Sequence, residues 1–177
     1  YSDAIPSDNI ELLQAQESDI KTLGRSEALA LITKNKRVIS AAGTHGKTTT
    51  SAMIANLLDA GNKSPSFIIG GILNNFNSNF NIKSSNYFVL EGDEYGKSFL
   101  KYPSNIGVIT NIEFDHPDIY RDMDELLTTY RKYAIKLNEY LVTNYEVLRQ
   151  LDLNPDNLEA EVATVEINNS EATFNIV

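Results

Sequence analysis

Apolar residues in this chain gather into short unbroken runs separated by stretches of helical periodicity. That is the pattern of strands buried on both faces alternating with amphipathic helices. The first run is Arg37-Val38-Ile39-Ser40-Ala41-Ala42. Before it, Ser26-Glu27 followed by Ala28, Leu29, Ala30, Leu31 and Ile32 predicts an N-capped helix ending in the basic Lys34–Arg37 stretch. After it, Thr49 to Ala60 carries Met53, Ile54, Leu57 and Leu58 at helical spacing, with Gly61 where a C-terminal cap belongs.

The alternation continues. Ser66-Phe67-Ile68-Ile69 predicts a strand ending at Gly70-Gly71, and Tyr87–Leu90 and Ile106–Thr110 predict two more. Asn74 to Asn86 is rich in asparagine and serine and reads as a loop or an irregular hairpin. Asp122 to Leu137 predicts an amphipathic helix with Leu126, Leu127, Tyr130, Tyr133, Ala134 and Leu137 on its apolar side. Tyr140–Thr143 follows as a strand and Glu146–Leu151 as a short helix. Glu161–Ile167 and Thr173–Val177 alternate in polarity and suggest a small antiparallel extension. Tyr1 to Glu17, polar and carrying Pro6, reads as a connector or the tail of a preceding domain. The expected fold is α/β, a mostly parallel sheet with flanking helices.

The first run leads directly into Ala41-Ala42-Gly43-Thr44-His45-Gly46-Lys47-Thr48. This is a P-loop, with alanine where the pattern ideally opens on glycine, and it makes the fold P-loop NTPase-like. Gly43 and Gly46 let the backbone wrap so that N–H groups face an anion. The helix that starts near Lys47 turns its positive end toward the same point. Lys47 adds a full charge for β- and γ-phosphates, and the Thr48 hydroxyl suits Mg²⁺. ATP with a divalent cation is the expected ligand. A net charge of −9 argues against a nucleic-acid partner, which needs a basic face. It does not argue against a single triphosphate, held by local donors and a metal.

Two later strands also end in chemistry. Val89-Leu90 is followed by Glu91-Gly92-Asp93-Glu94-Tyr95, three acids at a strand's carboxyl end, where they face the same crevice as the P-loop. Acids so close to a phosphate site call for a cation between them and the nucleotide. Spacing alone leaves open which of Glu91, Asp93 and Glu94 would touch it. Thr110-Asn111-Ile112-Glu113-Phe114-Asp115-His116-Pro117-Asp118 follows the next strand. His45 and His116 are the chain's two histidines, and both lie in these loops. Asp115 and Asp118 bracket His116 and could orient its imidazole for metal ligation, while Pro117 favours an extended backbone at His116.

Bulk properties set the remaining bounds. With 42% hydrophobic and 22% charged residues the chain has the balance of a globular protein. Cysteine is absent, which removes disulfides and thiolate metal sites and suits a cytoplasmic protein. No apolar run approaches the roughly 20 residues of a membrane-spanning helix, so no membrane partner is expected. The opening Tyr1-Ser2-Asp3-Ala4 does not read as a signal peptide and lacks an initiator Met. The expectation is a piece cut from something longer, and no feature fixes an oligomeric state.

Taken together, three strings resemble the Mur ligases, ATP-dependent enzymes that assemble the peptide stem of peptidoglycan. They are Gly43-Thr44-His45-Gly46-Lys47-Thr48-Thr49-Thr50, Tyr87–Tyr95 and Thr110–Asp118. The histidine at position 45 is similar to one branch of that family, and Tyr1-Ser2-Asp3-Ala4-Ile5-Pro6 resembles the segment where its first domain meets its second. The resemblance runs from Tyr1 to about Leu151. It implies that residues 1–20 are the tail of a UDP-binding domain or a linker, and residues 21–177 a central ATP-binding domain incomplete at its end.

It further implies that Gly43, Thr44, His45, Gly46, Lys47, Thr48 and Thr49 form the ATP site. Lys47 and His116 would serve catalysis, and Thr48, Glu94 and His116 would ligate Mg²⁺. The implied reaction joins UDP-N-acetylmuramate to L-alanine through an acyl phosphate, with ADP and phosphate released. A relative that recycles a tripeptide is the alternative, and which amino acid or peptide is added stays open. Gly92 stands where alanine is more usual in the branch, a small change expected to be tolerated. The resemblance also implies that this stretch alone holds the phosphate end of ATP without completing ligation. No Asn-Lys-x-Asp guanine motif and no arginine-bearing lid support a GTPase or a kinase. A non-catalytic nucleotide-binding module stays open as a reading of another class.

Overall fold

The computed structural model describes residues 1–2, 5–167 and 169–176, with residues 175 and 176 described by their backbone only. Asp3 and Ala4 of the opening segment, and Val177 at the end of the last expected strand, lie outside the described residues. The strands are β1 (Arg37–Ala42), β2 (Ser66–Leu73), β3 (Ser78–Asn81), β4 (Tyr87–Gly92), β5 (Ile106–Ile109), β6 (Tyr140–Thr143), β7 (Glu161–Ile167) and β8 (Phe174–Ile176). They form one sheet in the order β3-β2-β4-β1-β5-β6-β7-β8. Every neighbouring pair is parallel except β2 with β3. The α/β class and the mostly parallel sheet are as the pattern predicts.

The antiparallel element lies at the other edge from the one expected. It is β3, folded back on β2 inside the asparagine-rich segment that reads as an irregular hairpin. At the far edge β8 runs parallel to β7, pairing Val165 with Phe174 and Glu166 with Asn175. Two threonines fix that direction. Thr164 N–H donates to Thr173 Oγ1, and Thr173 N–H donates to Thr164 Oγ1, each at 3.1 Å.

Helix α1 (Ile10–Glu17) stands in the segment expected as a connector, capped by Asn9 Oδ1, which accepts from Leu12 N–H at 3.1 Å. Helix α2 (Arg25–Thr33) starts one residue before Ser26. Its cap is Gly24, whose N–H donates to Glu27 Oε2 at 2.8 Å, leaving Ser26 buried in the first turn. Helix α3 (Lys47–Ala60) buries Ser51 and Ala55, with Ile54 and Leu58 packed alongside. Met53 and Leu57 face outward, at 59% and 70% exposure. At about 100° per residue they lie roughly opposite Ser51 and Ala55, so helical spacing alone grouped them with the wrong face. Gly61 caps α3 as expected, its N–H donating to Leu57 O. Helices α4 (Met123–Lys136) and α5 (Tyr145–Gln150) are capped by Asp122 and Asn144. No described helix is long and apolar enough to cross a membrane.

Alternation along the central strands sends side chains into two cores. Val38, Ala42, Phe88 and Leu90 join Leu29 of α2, Leu126, Tyr130 and Tyr133 of α4, and Leu137 just after it on one face. Val89, Phe67 and Ile69 join Ala55 of α3 on the other. Gly92 is more than a neutral replacement here. A Cβ at that position would meet Ala42 Cβ at 2.8 Å, so β1 and β4 close over the glycine and an alanine would force them to shift. The strands that follow β1 fill one side of it through β4, and from β5 onward fill the other. This reversal opens a crevice at the carboxyl end of β1, where α/β sheets place their ligands.

Candidate functional site: a phosphate-binding loop at the switch point

The loop between β1 and α3 makes two turns that only glycine accommodates well. Gly43 has φ +133° and Gly46 φ +87°. At Gly43 space is excluded as well, since a Cβ would lie 2.1 Å from Thr110 Oγ1 and 3.0 Å from Asn111 O. The loop therefore rests directly on the segment that follows β5. Thr44 N–H donates to Asn111 O at 3.0 Å, and His45 N–H donates to Asn111 Oδ1 at 2.9 Å. Thr44 Oγ1 accepts from Glu113 N–H at 2.8 Å and donates to Glu113 O at 3.0 Å. These bonds occupy the N–H groups of Thr44 and His45. The N–H groups of Lys47, Thr48 and Thr49 belong to the first turn of α3, where no intrahelical acceptor exists. With Gly46 they form the part of the loop able to receive an anion.

Lys47 lies along this loop. Its Nζ donates to Gly43 O at 2.8 Å, Thr44 O at 3.2 Å and Glu94 Oε1 at 2.9 Å. Of the three acids at the end of β4, Glu94 is the one that reaches the P-loop. Glu91 Oε1 instead accepts from Gly70 N–H at 2.6 Å. Asp93 accepts from Tyr95 N–H at 3.1 Å and lies 3.9 Å from Arg25. Glu91 and Asp93 line a separate cavity of about 310 Å³ with Arg25, Ser26 and Tyr102.

The Glu94 side chain is 2% exposed, and its Oε2 has no hydrogen-bond partner among the described residues. Buried tyrosines hold the backbone of this segment. Tyr102 Oη donates to Glu91 O and Tyr120 Oη to Glu94 O, each at 2.6 Å. Burial, reinforced by the nearby Glu94 carboxylate, pushes the Tyr120 hydroxyl well above its ordinary range, so it stays a donor. Removing it with Tyr120→Phe would leave the Glu94 carbonyl with the Lys97 N–H, at 2.9 Å, as its remaining donor. The expected loss is about 0.5–1.5 kcal/mol of stability, the net worth of one hydrogen bond, read by urea denaturation, and an unchanged midpoint would refute the link.

His116 converges on the same carboxylate. Its Nε2 is 3.6 Å from Glu94 Oε1 and 3.7 Å from Asp115 Oδ2, and its ring meets Tyr95 edge-on at 5.4 Å. Its backbone is not extended, as the following proline would favour, but left-handed at φ +56°. Its N–H is held by Asp115 Oδ1 at 2.7 Å, and its carbonyl accepts from the N–H groups of Ile119 and Tyr120 at 2.9 Å. That closed turn outweighs the proline preference and swings the imidazole back over Glu94. Asp118 is exposed and stays out of the cluster.

Lys47, Glu94 and His116, from three different sequence motifs, thus share one point. Thr48 and Thr49 are exposed at the start of α3, and His45 is exposed at the loop's apex, 3.8 Å from Glu113. Gly71 on β2 leaves room for Thr48, since a Cβ there would come within 3.0 Å of Thr48 Cγ2. Among the described residues no three histidine, aspartate or glutamate side chains gather as a metal cluster. A cation here would rest on Glu94, His116 and a hydroxyl. Sequence reasoning passed over Thr110 and Asn111 as individual residues. Their signal was position: two polar residues at the carboxyl end of the strand next to β1.

Comparison with known proteins agrees with this fold. Residues 41–176 match the Mur ligase middle domain. UDP-N-acetylmuramate–L-alanine ligase of Clostridium beijerinckii is 43% identical over 145 residues, covering 80% of this chain and 32% of that protein. The solved structure of UDP-N-acetylmuramate–alanine ligase from Thermotoga maritima superposes with a TM-score of 0.77 at 24% identity, covering 95% of this chain and 38% of that one. UDP-N-acetylmuramate:L-alanyl-γ-D-glutamyl-meso-diaminopimelate ligase from Neisseria meningitidis gives 0.78 at 25% identity, covering 91% and 56%. The chain spans about a third of the length of the curated relative it matches.

Proposed function

The chain belongs to the Mur ligase family, and from that premise we propose that it is the ATP-binding part of a cytoplasmic peptidoglycan-precursor ligase. In this reading residues 1–20 are the tail of a preceding UDP-binding domain and residues 21–177 belong to the central domain. The parent protein joins the carboxylate of UDP-N-acetylmuramate to the amine of L-alanine. A carboxylate is a poor acyl donor. Transfer of the γ-phosphoryl group to it gives an acyl phosphate and ADP, and amine attack then releases phosphate.

The observation that carries this reading is the convergence of Lys47, Glu94 and His116 at the P-loop. The N–H groups of Gly46 to Thr49 hold the phosphate oxygens, while Gly43, Thr44 and His45 shape the loop beneath them. Lys47 neutralises charge that builds on the transferring group. Mg²⁺ fits the remaining donors, because Glu94 offers a buried oxygen without a partner among the described residues, His116 Nε2 lies 3.6 Å from the same carboxylate, and the Thr48 hydroxyl stands exposed at the start of α3. Bound there, the ion would supply charge neutralisation between the carboxylate and the phosphates. His116 and Glu94 keep their places through the left-handed turn and the Tyr120 hydroxyl, so positioning is built in before substrate arrives.

Thermal unfolding with nucleotide tests the proposal. Mg·ATP at 100 times its Kd is expected to stabilise the chain by about 2.7 kcal/mol. Stabilisation by Mg·GTP exceeding that by Mg·ATP would overturn the ligase reading.

A further inference from the structure

The peptide between His45 and Gly46 is held from behind. His45 O accepts from Thr110 Oγ1 at 2.6 Å and from Asn111 Nδ2 at 3.1 Å, which uses both of its lone pairs. The hydroxyl proton of Thr110 has Ala42 O as its other acceptor, at a longer 3.2 Å. Asn111 also receives the His45 N–H, so one amide side chain grips the residue on both sides. In a trans peptide the carbonyl and the following N–H point in opposite directions. Fixing the His45 carbonyl toward Thr110 and Asn111 therefore turns the Gly46 N–H outward, into the anion-receiving side of the loop.

The local backbone does not choose this orientation unaided. Gly46, at φ +87°, can take either sign of φ with little penalty. A flip of the 45–46 peptide would be absorbed by His45 ψ and Gly46 φ. The flipped form would present a carbonyl oxygen to the phosphates, and repulsion would replace a donor. The absence of a side chain at Gly43 is what lets the segment after β5 come close enough to act.

We propose that Thr110 and Asn111 are positioning residues that lock the His45–Gly46 peptide with its N–H toward the nucleotide phosphates. This rests on the phosphate-binding reading of the loop. The test pairs Thr110→Val, which keeps the shape and loses the donor, with Thr110→Ser, which keeps the donor. Two readouts are needed: Gly46 ¹⁵N and His45 carbonyl-carbon NMR shifts without added nucleotide, and Kd for Mg·ATP and for magnesium tripolyphosphate. Thr110→Val is expected to move both resonances and weaken both ligands by about tenfold, while Thr110→Ser tracks the wild type.

Unmoved resonances and unchanged Kd in Thr110→Val would overturn the inference, and so would equal losses in the two variants. Should the wild type bind neither ligand, the nucleotide reading falls, and the resonances alone decide whether Thr110 sets the peptide. If Thr110→Val does not fold, Asn111→Ala carries the same comparison.

Discussion

Lys47→Ala is expected to weaken Mg·ATP binding by about 100-fold, the scale of a lost charge-assisted hydrogen bond. It is also expected to destabilise the protein by about 3 kcal/mol. The second effect follows from burial. The Glu94 side chain is 2% exposed and the Lys47 side chain 19%, so removing the ammonium leaves a carboxylate in the interior without its counter-charge. All three N–H bonds of Lys47 already have protein acceptors. A phosphate must take over at least one of them, and affinity is the difference between the new partner and the old. Isothermal titration and urea denaturation of the same variant read the two effects separately. Full ATP affinity in Lys47→Ala would end the P-loop argument, whatever the fold match.

Glu94→Gln is expected to behave in the reverse way. Lys47 keeps the carbonyls of Gly43 and Thr44, and the glutamine keeps an oxygen facing Nζ. The stability change should therefore be the smaller of the two, about 1 kcal/mol. The change should fall on the divalent ion. If Glu94 holds Mg²⁺ in front of the phosphates, the gain in ATP affinity on adding Mg²⁺ shrinks by about tenfold or more, since a neutral amide is a poor ligand for a hard cation. Titrations of ATP with and without Mg²⁺ on both proteins decide it. An undiminished magnesium effect would move the ion away from Glu94, and greater destabilisation than in Lys47→Ala would contradict the proposed asymmetry.

What could be read from the chain divides along physical lines. Contiguous signals transferred well. The run Arg37–Ala42, the glycines of the loop and the start of α3 depend on neighbours in sequence, and they stand where expected. Face assignments transferred less well. Met53 and Leu57 have helical spacing but point to solvent, because spacing fixes a relation among residues without fixing which side meets the sheet. Long-range choices were the hardest. Glu91, Asp93 and Glu94 look alike in sequence. They are separated because β4 ends at Gly92, between Glu91 and the other two, and because two tyrosines are anchored to the carbonyls of Glu91 and Glu94. His116 defeated a local rule, since its turn is closed by hydrogen bonds that the Pro117 preference does not include. Thr110 and Asn111 gained meaning only once β5 was known to lie beside β1.

The tyrosines fastened around Glu94 have an optical consequence. The chain contains nine tyrosines and no tryptophan, so phenol emission is not drained by energy transfer to an indole. Tyr120 hydrogen-bonds the backbone of Glu94, and Tyr95 sits against the His116 ring. Both fluorophores touch the residues on which nucleotide and cation would act. A change in charge or geometry at that point reaches the emission of the unlabelled protein, which gives the loop a built-in gauge of its own occupancy.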